Sequence, residues 1–187
     1  MHALTISALV VALAEIGDKT QLLAILLATR FQRPLPIILG ILAATLANHA
    51  LAALVGVEAA AFLDGAWFHY LVAFSFIAMG FWTLIPDKLD DEAPTPPRFG
   101  AFLTTLVAFF LVEMGDKTQL ATVALGARFH DVVAVATGTT IGMMLANVPA
   151  VLLGNALIRL VPLTTVRIVA ALLFVAIGLW LLVQLLF

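Results

Sequence analysis

The chain has 187 residues, 64% of them hydrophobic, a mean hydropathy of +1.17 and a formal net charge of −2. Runs this apolar exclude a soluble domain and indicate membrane helices. There is no cysteine, which excludes disulfides and thiolate metal sites, and so small a charge gives no reason to expect nucleic acid as a partner.

Six apolar segments follow in order, over 3–29, 35–57, 67–86, 100–127, 131–157 and 163–186. Each is long enough to cross a hydrocarbon core of about 30 Å at 1.5 Å per residue. Met1-His2-Ala3 lacks a basic leader and the run after it contains acids, so the first segment is read as a retained helix. Arg30 to Pro34 ends it. Asp64-Gly65 precedes the third segment. The stretch 87–99 is a polar linker with Pro94, Pro96 and Pro97 in it. His130-Asp131, and Arg159 with Pro162, mark the last two turns. Outside the motifs described next, six of the seven Lys and Arg residues (Arg30, Arg33, Lys88, Arg98, Arg159, Arg167) fall on one side if all six segments span, and only Arg128 on the other. The side rich in positive charge is cytoplasmic, which puts both termini outside.

The first segment carries Glu15-Ile16-Gly17-Asp18-Lys19-Thr20-Gln21 and the fourth carries Glu113-Met114-Gly115-Asp116-Lys117-Thr118-Gln119. Charges at mid-membrane cost about 2.5–3.5 kcal/mol each on insertion scales, so a chain that carries them twice in the same order uses them. The repeat extends beyond the motif. Residues 14–31 match 112–129 at 10 of 18 positions, Leu46-Ala47-Asn48 matches Leu145-Ala146-Asn147, and the stretch from Phe76 to Trp82 matches that from Phe174 to Trp180. The expected fold is therefore an all-α membrane protein of six transmembrane helices in two inverted three-helix repeats, 1–86 and 100–187, joined by a cytoplasmic linker over 87–99. Transporters of this architecture place their site at the midplane between the repeats.

Glu15 and Asp18, and Glu113 and Asp116, are three apart and share a face if each segment is one helix. Antiparallel crossing of the two segments would bring four carboxylates together. An all-oxygen anionic set suits hard divalent cations such as Mn²⁺, Ca²⁺ or Mg²⁺. Four carboxylates and two lysines leave a charge of −2, which one divalent ion or two protons neutralise. That arithmetic points to metal/proton exchange, with the cation as substrate and no resident cofactor. Gly17 and Gly115 either allow close helix approach or let the helices unwind. Lys19 and Lys117, four residues after the glutamates, are read as charge-compensating or proton-coupling partners of those acids. Gln21, Gln119, Thr20, Thr118, Asn48 and Asn147 are candidate additional ligands or orienting groups. His49 has no counterpart, since Val148 stands in its place; proton relay and packing are both open to it, and packing is the commoner role. Met114 reads as packing, and Glu58, Asp64, Asp87, Asp90, Asp91, Glu92 and Asp131 as solvated acids. Small residues at four-residue spacing, Ala43, Ala44 and Ala47 with Gly138, Gly142 and Ala146, suit tight helix contact. Trp67, Trp82 and Trp180 suit interfacial anchoring.

Paired Glu-x-Gly-Asp-Lys-Thr motifs in a duplicated six-helix chain resemble the Golgi-type calcium/manganese–proton antiporter family of the LysE transporter superfamily. The resemblance covers nearly the whole chain. It implies cation/proton exchange, with Glu15, Asp18, Glu113 and Asp116 as the motif acids. The short loops resemble a bacterial member, which implies manganese efflux across the inner membrane. The partners expected are the divalent ion, protons and the lipid bilayer; a homodimer is compatible with the sequence and not required by it. Rival readings stand beside this one, a passive cation channel without proton coupling among them. An exporter of amino acids or other small organic solutes fits the superfamily but not four carboxylates at one point. An intramembrane aspartyl protease uses Gly-Asp motifs but gives no reason for paired glutamates and lysines. No enzyme activity is expected.

Overall fold

The computed structural model describes residues 1–63, 65–85, 100–154, 156 and 162–187. The expected linker over 87–99, with Asp87, Lys88, Asp90, Asp91, Glu92 and Arg98, lies outside the described residues, as do Asp64 and Arg159. The described chain is all-helical. We label the helices α1 (His2–Glu15), α2 (Lys19–Phe31), α3 (Pro34–Phe62), α4 (Ala66–Thr83), α5 (Ala101–Glu113), α6 (Lys117–Phe129), α7 (Val132–Leu153) and α8 (Leu163–Leu186). Of these, α3, α7 and α8 are long and apolar enough to cross a membrane, while α1, α5 and Trp67–Thr83 of α4 are shorter apolar helices. Pro34 starts α3 at a position where its missing N–H is no loss. Pro149 is accommodated inside α7.

One expectation is corrected. The segments over 3–29 and 100–127 are not single helices; each is two helices that meet inside its motif. The glycine two residues after each glutamate has positive φ and interrupts the helix there.

Packing is set by the small residues. α7 runs beside α1 in the same direction. A Cβ added to Gly138 would lie 2.4 Å from the Leu4 carbonyl oxygen, and one added to Gly142 would lie 2.4 Å from that of Ala8. α3 runs likewise beside α5 and α6: a Cβ on Gly40 would lie 2.8 Å from the Phe102 carbonyl oxygen, and one on Gly56 would lie 2.0 Å from that of Val123. Backbones this close leave no room for any side chain but hydrogen. α4 packs on α8 through matched residues: Gly80 faces Ala171 and Val175, Gly178 faces Ala73 and Ile77, and the rings of Phe76 and Phe174 lie 6.2 Å apart.

The buried apolar residues form two clusters. One holds Val10, Ala14, Phe76, Ala121, Leu125 and Phe174; the other holds Leu23, Leu27, Ile37, Ile41, Ala108 and Phe109. Along α1–α2 and α5–α6 the polar motifs fall between the two clusters. At one end of the molecule the Arg128 guanidinium donates to Gln184 Oε1 at 2.8 Å and lies 5.7 Å from the Trp180 ring centre, tying α6 to α8.

Candidate cation site

The two helix breaks have one geometry. Ile16 (φ −64, ψ 115) and Met114 (φ −64, ψ 119) are extended, Gly17 and Gly115 follow at φ +84 and +80, and Asp18 and Asp116 are extended again. The Asp18 N–H donates to the Glu15 carbonyl at 3.0 Å and the Asp116 N–H to that of Glu113 at 3.1 Å. An extended residue followed by positive φ, closed by a bond three residues back, is the pattern of a type II turn, which calls for glycine in the third position. Of the two roles open to these glycines, the observed one is to unwind the helix.

Each break ends one helix at a glutamate and begins the next at an aspartate N-cap. Gln21 and Gln119 serve the breaks. Gln21 Oε1 accepts from the Gly17 N–H at 2.9 Å and Gln119 Oε1 from the Gly115 N–H at 2.6 Å, a close relative of the capping box. Their amide nitrogens reach the neighbouring long helices. Gln21 Nε2 donates to the Ala146 carbonyl at 3.1 Å, and Gln119 Nε2 donates to Asn48 Oδ1.

Each lysine is ion-paired with the aspartate of the other motif. Lys19 Nζ lies 2.9 Å from Asp116 Oδ1, and Lys117 Nζ lies 3.0 Å from Asp18 Oδ1. The i, i+4 spacing expected of an unbroken helix does not apply, because the turn intervenes. The two motifs instead exchange lysines. Both aspartates and Lys117 are buried, while the Lys19 side chain is 27% exposed.

Glu15 and Glu113 are fully buried. Glu15 lies within electrostatic reach of Glu113, Asp18 and Asp116. Glu15 Oε1 accepts from Asn147 Nδ2 at 3.1 Å, and Glu113 Oε1 accepts from Thr118 Oγ1 at 2.6 Å. The second carboxylate oxygen of each glutamate has no hydrogen-bond partner. Asn147 and Thr118 thus orient the glutamates. Thr20 is buried and its hydroxyl has no partner. Among the described residues, no group of three or more His, Asp and Glu side chains is gathered tightly enough to hold an ion.

The structure brings into this cluster a residue that the sequence reading favoured as packing over proton relay. His49 on α3 is fully buried with Nε2 3.6 Å from Glu113 Oε1, so it is not mere packing. The signal available was its position beside Asn48. Other candidates fall away from the cluster. Met114 is 57% exposed, Glu58 is exposed, and Asp131 caps α7 by accepting from the Ala134 N–H at 2.9 Å.

The divalent cation/proton antiporter family GDT1 matches residues 3–91 and 101–186. A Vibrio cholerae protein named "Putative manganese exporter" is 51% identical over 180 residues, covering 96% of this chain and 90% of that protein. GDT1-like protein 5 of Arabidopsis thaliana is 29% identical over 206 residues, 89% of each chain, and GDT1-like protein sll0615 of Synechocystis is 26% identical over 195 residues, 93% of each. No solved structure matches. The family is one of transporters, so the protease reading is set aside. A doubled acidic motif, carried on two broken helices within an apolar helical frame and matched along nearly its whole length, makes this chain a membrane protein of the divalent cation/proton antiporter family GDT1.

Proposed function

We propose that the protein exchanges a divalent cation, Mn²⁺ foremost with Ca²⁺ as its competitor, for protons at the site between its two helix breaks. The observation that carries this reading is the pair of buried glutamates, each with one oxygen unpartnered, beside aspartates already matched by lysines. The four acids outnumber the two lysines by two charges, which one divalent ion or two protons would neutralise. A cation arriving at Glu15 and Glu113 recruits Asp18 and Asp116 by displacing the ammonium groups of Lys117 and Lys19. Carboxylate oxygens are the donors such ions prefer. The name of the Vibrio cholerae relative favours manganese.

On this reading α1–α2 and α5–α6 are each one membrane crossing, and the chain is six spans in two inverted repeats, 1–86 and 100–187. The reciprocal ion pairs and the matched contacts of α4 with α8 support it, as does a family match that falls in two stretches. Alternating access then moves one repeat against the other around a fixed site. The bias of Lys and Arg supports a bacterial inner-membrane protein with both termini outside.

Proteoliposomes holding the purified protein and a trapped pH dye test this. Metal entry with opposing proton flux, lost in Glu15→Gln/Glu113→Gln, is the expected result. Metal entry with no proton movement would make the protein a uniporter, and no metal entry would return the organic-solute exporter.

A further inference from the structure

The two halves of the site are not equivalent, and one difference is His49. Asn48 and Asn147 are matched residues of α3 and α7, but the next position is His49 in one helix and Val148 in the other. His49 is fully buried, and neither ring nitrogen has a hydrogen-bond partner. A buried imidazole left unsatisfied is destabilising, and a histidine kept for packing alone would satisfy at least one nitrogen. Its Nε2 faces Glu113 Oε1 at 3.6 Å, beyond hydrogen-bond length. Two donors that bind one transition ion at about 2.0–2.2 Å each sit about this far apart. The Thr118 hydroxyl already holds Glu113 Oε1 at 2.6 Å, so the carboxylate does not need the imidazole to fix it.

We infer that His49 Nε2 is a nitrogen ligand for the transported ion and the residue that favours Mn²⁺ over Ca²⁺. The inference rests on the exchanger reading above. Ca²⁺ takes oxygen ligands. Mn²⁺ takes oxygen too, but as a first-row transition ion it also accepts an imidazole nitrogen. The carboxylates admit either ion. A single nitrogen, offered beside Glu113 and absent beside Glu15, discriminates between them.

Electron spin-echo spectroscopy of Mn²⁺ bound to the purified, tag-free protein reads this directly. Nitrogen modulation is expected, and it should change its pattern when the protein is made with ¹⁵N-histidine. The other three histidines, His2, His69 and His130, are exposed near helix ends, so loss of the modulation in His49→Gln assigns it to His49. In proteoliposomes, His49→Ala and His49→Gln should lower the ratio of Mn²⁺ to Ca²⁺ uptake by about tenfold or more. Bound Mn²⁺ without histidine-nitrogen modulation would overturn the inference and leave the exchanger reading standing. So would Mn²⁺ and Ca²⁺ rates that fall in parallel in both variants. A wild-type protein that neither binds nor moves Mn²⁺ would overturn both.

Discussion

Lys117 of the second motif lies 3.0 Å from Asp18 of the first, and both side chains are buried. Taking one partner from a buried pair leaves a charge in a low-dielectric interior and costs about 3–5 kcal/mol. Lys117→Met should therefore lower the melting temperature of the detergent-solubilised protein, and Lys117→Met/Asp18→Asn should recover part of the loss. Lys19, 27% exposed, makes the matching pair with Asp116. Lys19→Met should cost less, because water reaches that pair and screens it. Equal losses for the two lysines would count against the assigned pairing.

Gly17 and Gly115 share a positive φ but not their surroundings. A Cβ on Gly17 would meet Leu163 Cδ2 at 3.0 Å, while one on Gly115 meets nothing within 4 Å. Alanine at either site bears about 1–2 kcal/mol of left-handed backbone strain. Gly17→Ala should be the more destabilising in a thermal-shift assay. Adding Leu163→Ala should relieve the steric share of that cost and leave the strain.

The threonines at the same motif position should respond in opposite ways. Thr118 Oγ1 donates to Glu113, and that bond to a carboxylate is worth about 1.5–3 kcal/mol. Thr118→Val should destabilise the protein by that order and slow transport. The Thr20 hydroxyl is buried without a partner. Thr20→Val keeps the shape and removes an unsatisfied group, so it should be neutral or stabilising. Denaturant or thermal titration of the two variants side by side is the check.

Asn147 holds Glu15 by a single hydrogen bond, donated by its Nδ2 at 3.1 Å. Asn147→Leu should leave the protein folded but loosen that carboxylate. Metal affinity is expected to fall about 10–100-fold, the range for lost outer-shell partners. Isothermal titration with Mn²⁺ would measure it. An unchanged affinity would separate Asn147 from the site.

Much of this was legible in the chain. The duplicated heptapeptide announced two polar centres in apolar runs, and the glycine and alanine spacing announced the close contacts of α7 with α1. The local geometry of the motif was not legible. Helical spacing paired Lys19 with Glu15, but the turn at Gly17 removes that face and turns the lysine toward a residue about one hundred positions away. No local pattern encodes such a contact. His49 was read first as packing for a related reason. Its partner Glu113 is on another helix, and an isolated histidine in an apolar run has no spacing to read.

The crossing of α4 and α8 has a consequence for the asymmetry of the site. Phe76 meets Phe174, and each glycine meets the residues that correspond to those its counterpart meets. This is the self-complementary pattern of a two-fold dimer interface, here written into one polypeptide. A true homodimer must place the same side chain in both halves, so it could not set one imidazole against one of two equivalent glutamates. Fusion lifts that constraint. The shared interface keeps the halves in register, and each half is free to carry its own residues, as His49 in one and Val148 at the matching position of the other show.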